Sequence, residues 1–185
     1  MGAKKFMARE RLKHGLIHVY TGNGKGKTTA AFGLALRAAG RGLKVFILQF
    51  MKGRNYGEVK AVKLLKPYIT IKQTGLCTFV DKNNPSKEDI RMAKEGLKIA
   101  SKAIKDGKYD MVILDEINCA VDFKLLDLKK VVEMIEKKPP CVELVLTGRN
   151  AHEKVVEKAD LVTEMREIKH YYRNLKIEAR KGIEL

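Results

Sequence analysis

The chain of 185 residues has no tryptophan, 6% aromatic residues and three cysteines, and it lacks any apolar run of membrane-spanning length. Each scarcity excludes something. Aromatic residues that are few, and not interleaved with a basic stripe, do not make a stacking platform for single-stranded nucleic acid. Cys77, Cys119 and Cys141 are odd in number, far apart and without a C-x-x-C pair, so neither a disulfide framework nor a zinc site is expected. The thiols read as reduced and packed. His14, His18, His152 and His170 are also scattered without ligand spacing, so no intrinsic transition-metal site is expected. A membrane span needs about 18 to 20 apolar residues, and Met1 to His14 is charged without the apolar block of a signal peptide. No Pro-, Gly- or Ser-rich stretch marks a linker, and the length suffices for a layered core. The expectation is a single cytoplasmic domain with no membrane partner.

Acids are scarce too, with 22 Asp and Glu against 38 Lys and Arg and a net charge of +16. Counterion release lets such a surface bind phosphate backbones, but the basic residues are spread over the whole chain. The one local concentration is Lys4, Lys5, Arg9, Arg11 and Lys13 against Glu10. A generally basic surface suits anionic small molecules equally well, and nucleic acid is not the expected partner.

The run Thr21-Gly22-Asn23-Gly24-Lys25-Gly26-Lys27-Thr28-Thr29 lies between an apolar strand-like segment, Leu16 to Tyr20, and an Ala-rich helix-like one, Thr29 to Ala39. Glycines at alternate positions let backbone N–H groups turn inward around polyphosphate oxygens. Lys27 supplies a point charge there, and the Thr28 hydroxyl can reach a magnesium ion. The following helix aims its positive end at the same anions. Gly26-Lys27-Thr28 fits the pattern G-x-x-x-x-G-K-[ST], whereas Thr21 stands where the first glycine belongs. A chance Gly/Lys-rich turn would lack the strand–loop–helix setting.

Apolar runs rich in branched residues alternate with amphipathic stretches along the chain, the signature of βα units. Strands are expected at Leu16 to Tyr20, Leu43 to Phe50, Ile69 to Gln73, Met111 to Asp115, Val142 to Thr147 and Leu161 to Thr163. A helix is expected from Ser86, with Asp89 completing a capping box and Ile90, Ala93, Leu97, Ala100 and Ile104 at helical spacing, until Asp106-Gly107 stops it. Another runs from Asp127 through Lys137 and ends against Pro139-Pro140. The fold class is α/β, a P-loop NTPase-like (RecA-like) single domain with a mainly parallel sheet flanked by helices. The strand Met111 to Asp115 delivers two adjacent carboxylates, Asp115 and Glu116, as a Walker-B strand does. Ligands bind beyond the carboxyl ends of such strands, so either carboxylate can meet Thr28 around a magnesium ion, directly or through water. An acidic turn after a strand is the plain alternative.

The blocks TGNGKGKTTAAFGLALRAAGRG, VFILQFMKG, YDMVILDEIN, ELVLTGRNA and ADLVTEMREIKHYY, in that order, resemble the ATP:cob(I)alamin adenosyltransferases of the P-loop type. The resemblance covers roughly residues 15 to 185, and Thr21 agrees with that family's own loop. It implies transfer of the 5′-deoxyadenosyl group of ATP to the cobalt(I) of a corrinoid with release of tripolyphosphate, and ATP lying reversed in the loop relative to hydrolases. By the same resemblance Gly22, Asn23, Gly24, Lys25, Gly26, Lys27, Thr28 and Thr29 hold the triphosphate, with Lys27 the principal cation. Thr28 and Glu116 ligate Mg2+, with Asp115 beside them. Arg149 contacts phosphate and Arg37 reaches the sugar side. An arginine after a strand or on a helix is otherwise a solvated or ion-paired side chain.

The corrinoid side departs from the family. Where members carry an aromatic pair that strips the lower axial ligand from cobalt, Thr74-Gly75-Leu76-Cys77-Thr78-Phe79 offers one aromatic, with Leu76 near the place of the other. Phe79 is either part of that device or a core side chain under a loop. The basic segment 1–14, ahead of a domain at 15–185, implies by resemblance a cover over an active site, in some members the partner subunit's, and so a homodimer; a solvated tail is the alternative. His170, Tyr171 and Tyr172 line the cleft or form a strand-edge cluster. An electron-donating reductase is the further partner implied. Two other activities fit the loop: a RecA-like ATPase acting on nucleic acid, with Glu116 activating water, and a small-molecule kinase, for which the stretch from Lys52 to Asn84 holds only Arg54 as a lid arginine. A nucleotide-binding regulator without turnover is a weaker fit.

Overall fold

In the computed structural model, which describes residues 11–184, every expected strand forms within two residues of its expected bounds. They are β1 (Ile17–Thr21), β2 (Val45–Phe50), β3 (Ile69–Thr74), β4 (Met111–Asp115), β5 (Glu143–Thr147) and β6 (Leu161–Glu164). They make one sheet in the order β3-β2-β4-β5-β1-β6, and every pairing is parallel. The sheet is wholly parallel where a mainly parallel one was expected. The helices are α1 (Lys27–Gly40), α2 (Gly57–Val62), α3 (Lys87–Lys105), α4 (Ile117–Asp122), α5 (Leu128–Glu136), α6 (Glu153–Val156) and α7 (Tyr171–Leu175). The short α2, α4, α6 and α7 carry too few turns to leave a periodic signal in sequence.

Strand side chains alternate between faces, and the central strands are apolar on both. Val45, Ile47, Met111, Ile113 and Val145 pack with Ala31, Ala35, Ala38 and Ala39 of α1. Their neighbours Phe46, Leu48, Phe50, Val112, Leu114, Leu144 and Leu146 pack with α3, α4 and α5 on the other side. This parity decides what reaches the functional end. Continuing the α1-facing series two residues further brings Gln49, Asp115 and Thr147, each fully buried, to the carboxyl edge under the start of α1.

The helix ends differ in a way that matters. α3 is closed by a capping box in which Ser86 accepts from the Asp89 N–H while the Asp89 carboxylate accepts from Ser86, and α5 is capped by Asp127. α1 has no side-chain cap and no acid in its first turn. Its leading N–H groups, which no helix bonds internally, are left facing the Gly-rich loop.

α3 lies close against the sheet because Gly96 carries no side chain. A Cβ there would fall 2.5 Å from Thr74 Oγ1 and 2.8 Å from Phe50 Cε1. Gly96→Ala is therefore expected to destabilise the fold by about 1–3 kcal/mol through overpacking. At Gly33, in α1, an added Cβ meets nothing within 4 Å, and Gly33→Ala should stabilise by up to about 1 kcal/mol. Urea denaturation of the two variants checks the opposite signs.

Among the described residues no helix is long and apolar enough to cross a membrane. The expected covering role of segment 1–14 falls largely on residues outside the described ones. Arg11, the first described residue, pairs with Asp110 at 3.6 Å, at the amino end of β4.

Candidate active site

The loop between β1 and α1 rests on the segment after β6. Gly24 N–H donates to the Met165 carbonyl at 2.6 Å, and a Cβ on Gly24 would come within 2.7 Å of that oxygen. Gly26 turns the chain into α1 at φ +116°, a conformation closed to side-chain-bearing residues without strain. Thr21 has a definite use. Its hydroxyl accepts the Ala151 N–H at 3.2 Å, which ties the loop's first residue to the turn carrying Arg149. The buried Lys27 ammonium donates to the carbonyls of Gly22 at 2.6 Å and Gly24 at 2.7 Å, so the loop is wrapped around its own cation. Burial sets the Lys27 pKa below its ordinary value, with Glu116 opposing and the nearby Arg149 adding to the shift.

Asp115 is the hub. Its Oδ1 accepts from Thr28 at 2.9 Å and from Thr147 at 2.7 Å, and its Oδ2 accepts from Lys52 at 2.8 Å and from Gln49 at 3.1 Å. Four segments of chain thus converge on one fully buried carboxylate: the loop, two neighbouring strands and the turn after β2. Burial works to raise its pKa, but the Lys52 charge and the hydrogen bonds more than offset this and hold the carboxyl below its ordinary value. Lys52 shows the mirror image. Burial opposes its charge, Asp115 outweighs burial, and its pKa is raised. Lys52 Nζ also stands 3.4 Å from Thr28 Oγ1.

Glu116 caps β4 in the left-handed region at φ 64°, where its N–H donates to Thr147 Oγ1 at 3.0 Å. Its side chain lies against the Cys119 thiol, which donates a hydrogen bond to it. The Glu116 negative charge acts on Lys27 and Lys52 alike. Arg149 follows β5 and is exposed, with its N–H held by Cys119 Sγ at 3.2 Å. Gly148 makes that approach possible, since a Cβ there would lie 2.9 Å from Cys119 N. Burial, reinforced by Glu116, pushes the Cys119 thiol up to about 12, so it acts as a packed neutral post.

Lys27, Thr28, Asp115, Glu116 and Arg149 are therefore brought to one place. Gly22, Gly24 and Gly26 line it, and Asn23 and Thr29 are exposed at its rim. Lys25 is exposed too, but its ammonium is taken by Glu184 Oε1 at 2.5 Å and Tyr171 Oη at 3.0 Å. Arg37 is not brought to the loop. It sits exposed in the last turn of α1, about 15 Å of helix beyond Lys27 at 1.5 Å per residue. Phe79 is 87% exposed, which excludes the core alternative for it, and Leu76 is half-buried. A polar hollow of about 250 Å³ lined by Asn23, Glu164, Arg166, Glu167 and Arg173 adjoins the loop. A larger, more apolar one near 580 Å³, between α3 and the α4–α5 turn, lies away from these charges and is not where we place the chemistry.

Sequence reasoning missed Lys52, Gln49, Thr147 and Glu184, and it left Tyr171, which lies in α7, between a cleft-lining and a strand-edge role. For the first three, the signal was a polar residue at the carboxyl end of an otherwise apolar strand or just past it.

A profile of the family described as ATP:corrinoid adenosyltransferase BtuR/CobO/CobP matches residues 13–185. The chain belongs to that family. It is 39% identical to a corrinoid adenosyltransferase of Sinorhizobium sp., over 98% of this chain and 88% of the relative. It is 37% identical to the corrinoid adenosyltransferase of Escherichia coli K12, over 96% and 89%. The corrinoid adenosyltransferase CobA of Salmonella typhimurium is 34% identical over 96% and 89%.

Family membership raises the question of a magnesium ion. The described residues hold no cluster of three or more His, Cys, Asp or Glu able to bind a metal alone. The residues present fit one that shares its shell with phosphate oxygens and water, as magnesium does: the Thr28 hydroxyl and the Glu116 carboxylate. The Thr28 proton already points to Asp115, so its oxygen, which accepts only a long 3.4 Å contact from Lys52, has lone-pair capacity to offer a cation.

Asp115→Asn strands the Lys52 ammonium beside a neutral amide and is expected to cost about 3–5 kcal/mol of stability, with partial recovery on adding Lys52→Met. Denaturation of the two single variants and the double variant measures this. The depressed Asp115 pKa adds a pH dependence. Its stabilisation is fully present above the ordinary carboxylate value and is lost as pH falls through the depressed one. In Lys52→Met the acid midpoint of unfolding should move toward neutral pH.

Proposed function

We propose that this chain transfers the 5′-deoxyadenosyl group of ATP to the cobalt(I) of a corrinoid and releases tripolyphosphate. The match to the adenosyltransferase family across residues 13–185 carries this reading, and the converged charges at the carboxyl edge of the sheet support it. Cobalt(I) brings its own electron pair, which forms the Co–C5′ bond as the C5′–O5′ bond breaks. The departing pair goes to the α-phosphate oxygen. No proton has to be removed from the nucleophile, so the protein needs positioning and charge stabilisation rather than a base.

The residues divide that work. The uncapped N–H groups of α1 and the loop receive the phosphates, and Lys27 exchanges its two loop carbonyls for phosphate oxygens. Arg149 contacts phosphate from the same end of the sheet. Thr28 and Glu116 hold Mg2+, which when bound neutralises the polyphosphate. Asp115 acts behind them, fixing the Thr28 hydroxyl and the Lys52 ammonium so that both point at the ligand. Gly22, Asn23, Gly24, Lys25, Gly26 and Thr29 complete the phosphate contacts, with Lys25 released from Glu184. Arg37, further along α1, serves the sugar side of the nucleotide. A cytoplasmic setting, a reductase that supplies the electron taking cobalt to its nucleophilic state, and assembly as a homodimer belong to the same reading.

An anaerobic assay with MgATP and chemically reduced cob(I)alamin tests it. Adenosylcobalamin and tripolyphosphate should appear in equal amounts, and Lys27→Ala should lower kcat/KM by about 100-fold or more. ADP and inorganic phosphate with an unchanged corrinoid spectrum would instead point to the nucleic-acid-dependent ATPase or kinase.

A further inference from the structure

Phe79 is a large apolar side chain left in solvent on the segment between β3 and α3. The segment that carries it is nevertheless held at both ends. Arg54, in the turn after β2, donates its Nε–H to the Cys77 carbonyl at 2.6 Å and places its guanidinium 5.1 Å from the centre of the Phe79 ring. Three residues beyond the ring, Lys82 pairs with Asp122 at 2.7 Å, and Asp122 also accepts from Asn150 Nδ2 at 2.9 Å. Turn and segment touch backbone to backbone, since a Cβ on Gly53 would lie 2.4 Å from the Gly75 carbonyl.

Both fastenings lead to the triphosphate site. The Arg54 carbonyl accepts from Gln73 Nε2 at 2.9 Å, the same nitrogen donates to Gln49 Oε1 at 2.9 Å, and Gln49 donates to Asp115. On the other side Asn150 is the residue after Arg149. An exposed aromatic ring has no reason of packing to be held this firmly, because exposed apolar side chains ordinarily pack or move. A guanidinium on one face of the ring favours one direction for it through cation–π attraction and leaves the rest of the ring bare.

We infer that Arg54 is a positioning residue for the corrinoid: it holds Phe79 as a rigid apolar contact against the face of the macrocycle, at a set place relative to the triphosphate. The inference rests on the adenosyltransferase reading. It accounts for how one aromatic serves in a chain with Leu76 where a second would stand. An apolar ring offers cobalt no lone pair, so a Phe79 held against the corrinoid would cover that face without supplying a ligand to it.

Arg54→Met keeps the stem without the charge, and Arg54→Lys keeps a cation over the ring. Electron paramagnetic resonance of cob(II)alamin bound with MgATP reads the axial ligand directly. Arg54→Met should lose most of the four-coordinate signal, as should Phe79→Ala, with kcat/KM for the corrinoid falling about tenfold and the KM for ATP changing by less than about twofold. Arg54→Lys should restore at least half the signal. A folded Arg54→Met with the wild-type signal would overturn the inference, as would a parallel loss of ATP affinity, which would mean a general loop defect. Wild-type protein that forms no adenosylcobalamin would defeat the transferase reading itself, whereas a wild type that forms it beside an unaffected Arg54→Met would defeat this inference alone.

Discussion

One buried carboxylate holds the functional end of this protein together. Asp115 is the shared acceptor for the loop threonine, the hydroxyl at the end of β5, the amide at the end of β2 and the ammonium just past it. A buried charge is tolerable only when paired and fully hydrogen-bonded, and four donors on two oxygens meet that condition. The constraint works in both directions. The donors keep Asp115 ionised, and Asp115 keeps segments from distant parts of the chain in register at one point. Without it the Lys52 ammonium keeps only the Tyr56 ring, the long Thr28 contact and more distant carboxylates, and the Thr28 hydroxyl loses its acceptor.

From that point outward the site becomes progressively less satisfied. Lys27 bonds only to carbonyls of its own loop, α1 begins without a cap, and the charges of Glu116 and Arg149 both reach Lys27 from the same end of the sheet. An incompletely satisfied cationic cradle above a saturated anionic base is the electrostatic form of a polyphosphate site. Phosphate oxygens supply the acceptors that the lysine and the helix end lack. Such a cradle is neutral as to chemistry, since it serves hydrolysis, phosphoryl transfer and substitution at carbon alike. The family match selects the last of these.

Much of this was legible in sequence because it is local. Strand and loop in Leu16 to Thr29, the capping box at Ser86 and the paired acids after Met111-Val112-Ile113-Leu114 each depend on residues close together in the chain. Lys52, Gln49 and Thr147 were not legible as a group, because their convergence follows from strand order and pleat parity. Only when β2, β4 and β5 lie side by side does polarity at the end of each fall on the same face. Lys25 shows the reverse limit. Its place in the loop was plain, but its partners Tyr171 and Glu184 come from the far end of the chain. Arg37 was assigned to the sugar side by resemblance, and its place in the last turn of α1 follows from helix rise rather than from any local motif. The two readings of Phe79, core or contact, differ only in exposure, which no local pattern encodes.

The central claim is that the bond broken in ATP is C5′–O5′. ATP carrying ¹⁸O at that bridging position, turned over with reduced corrinoid and followed by mass spectrometry, tests it without reference to any variant. The account predicts that the label leaves in tripolyphosphate while the adenosyl group on cobalt carries none. Label retained in ADP would mean cleavage between phosphates and would contradict it.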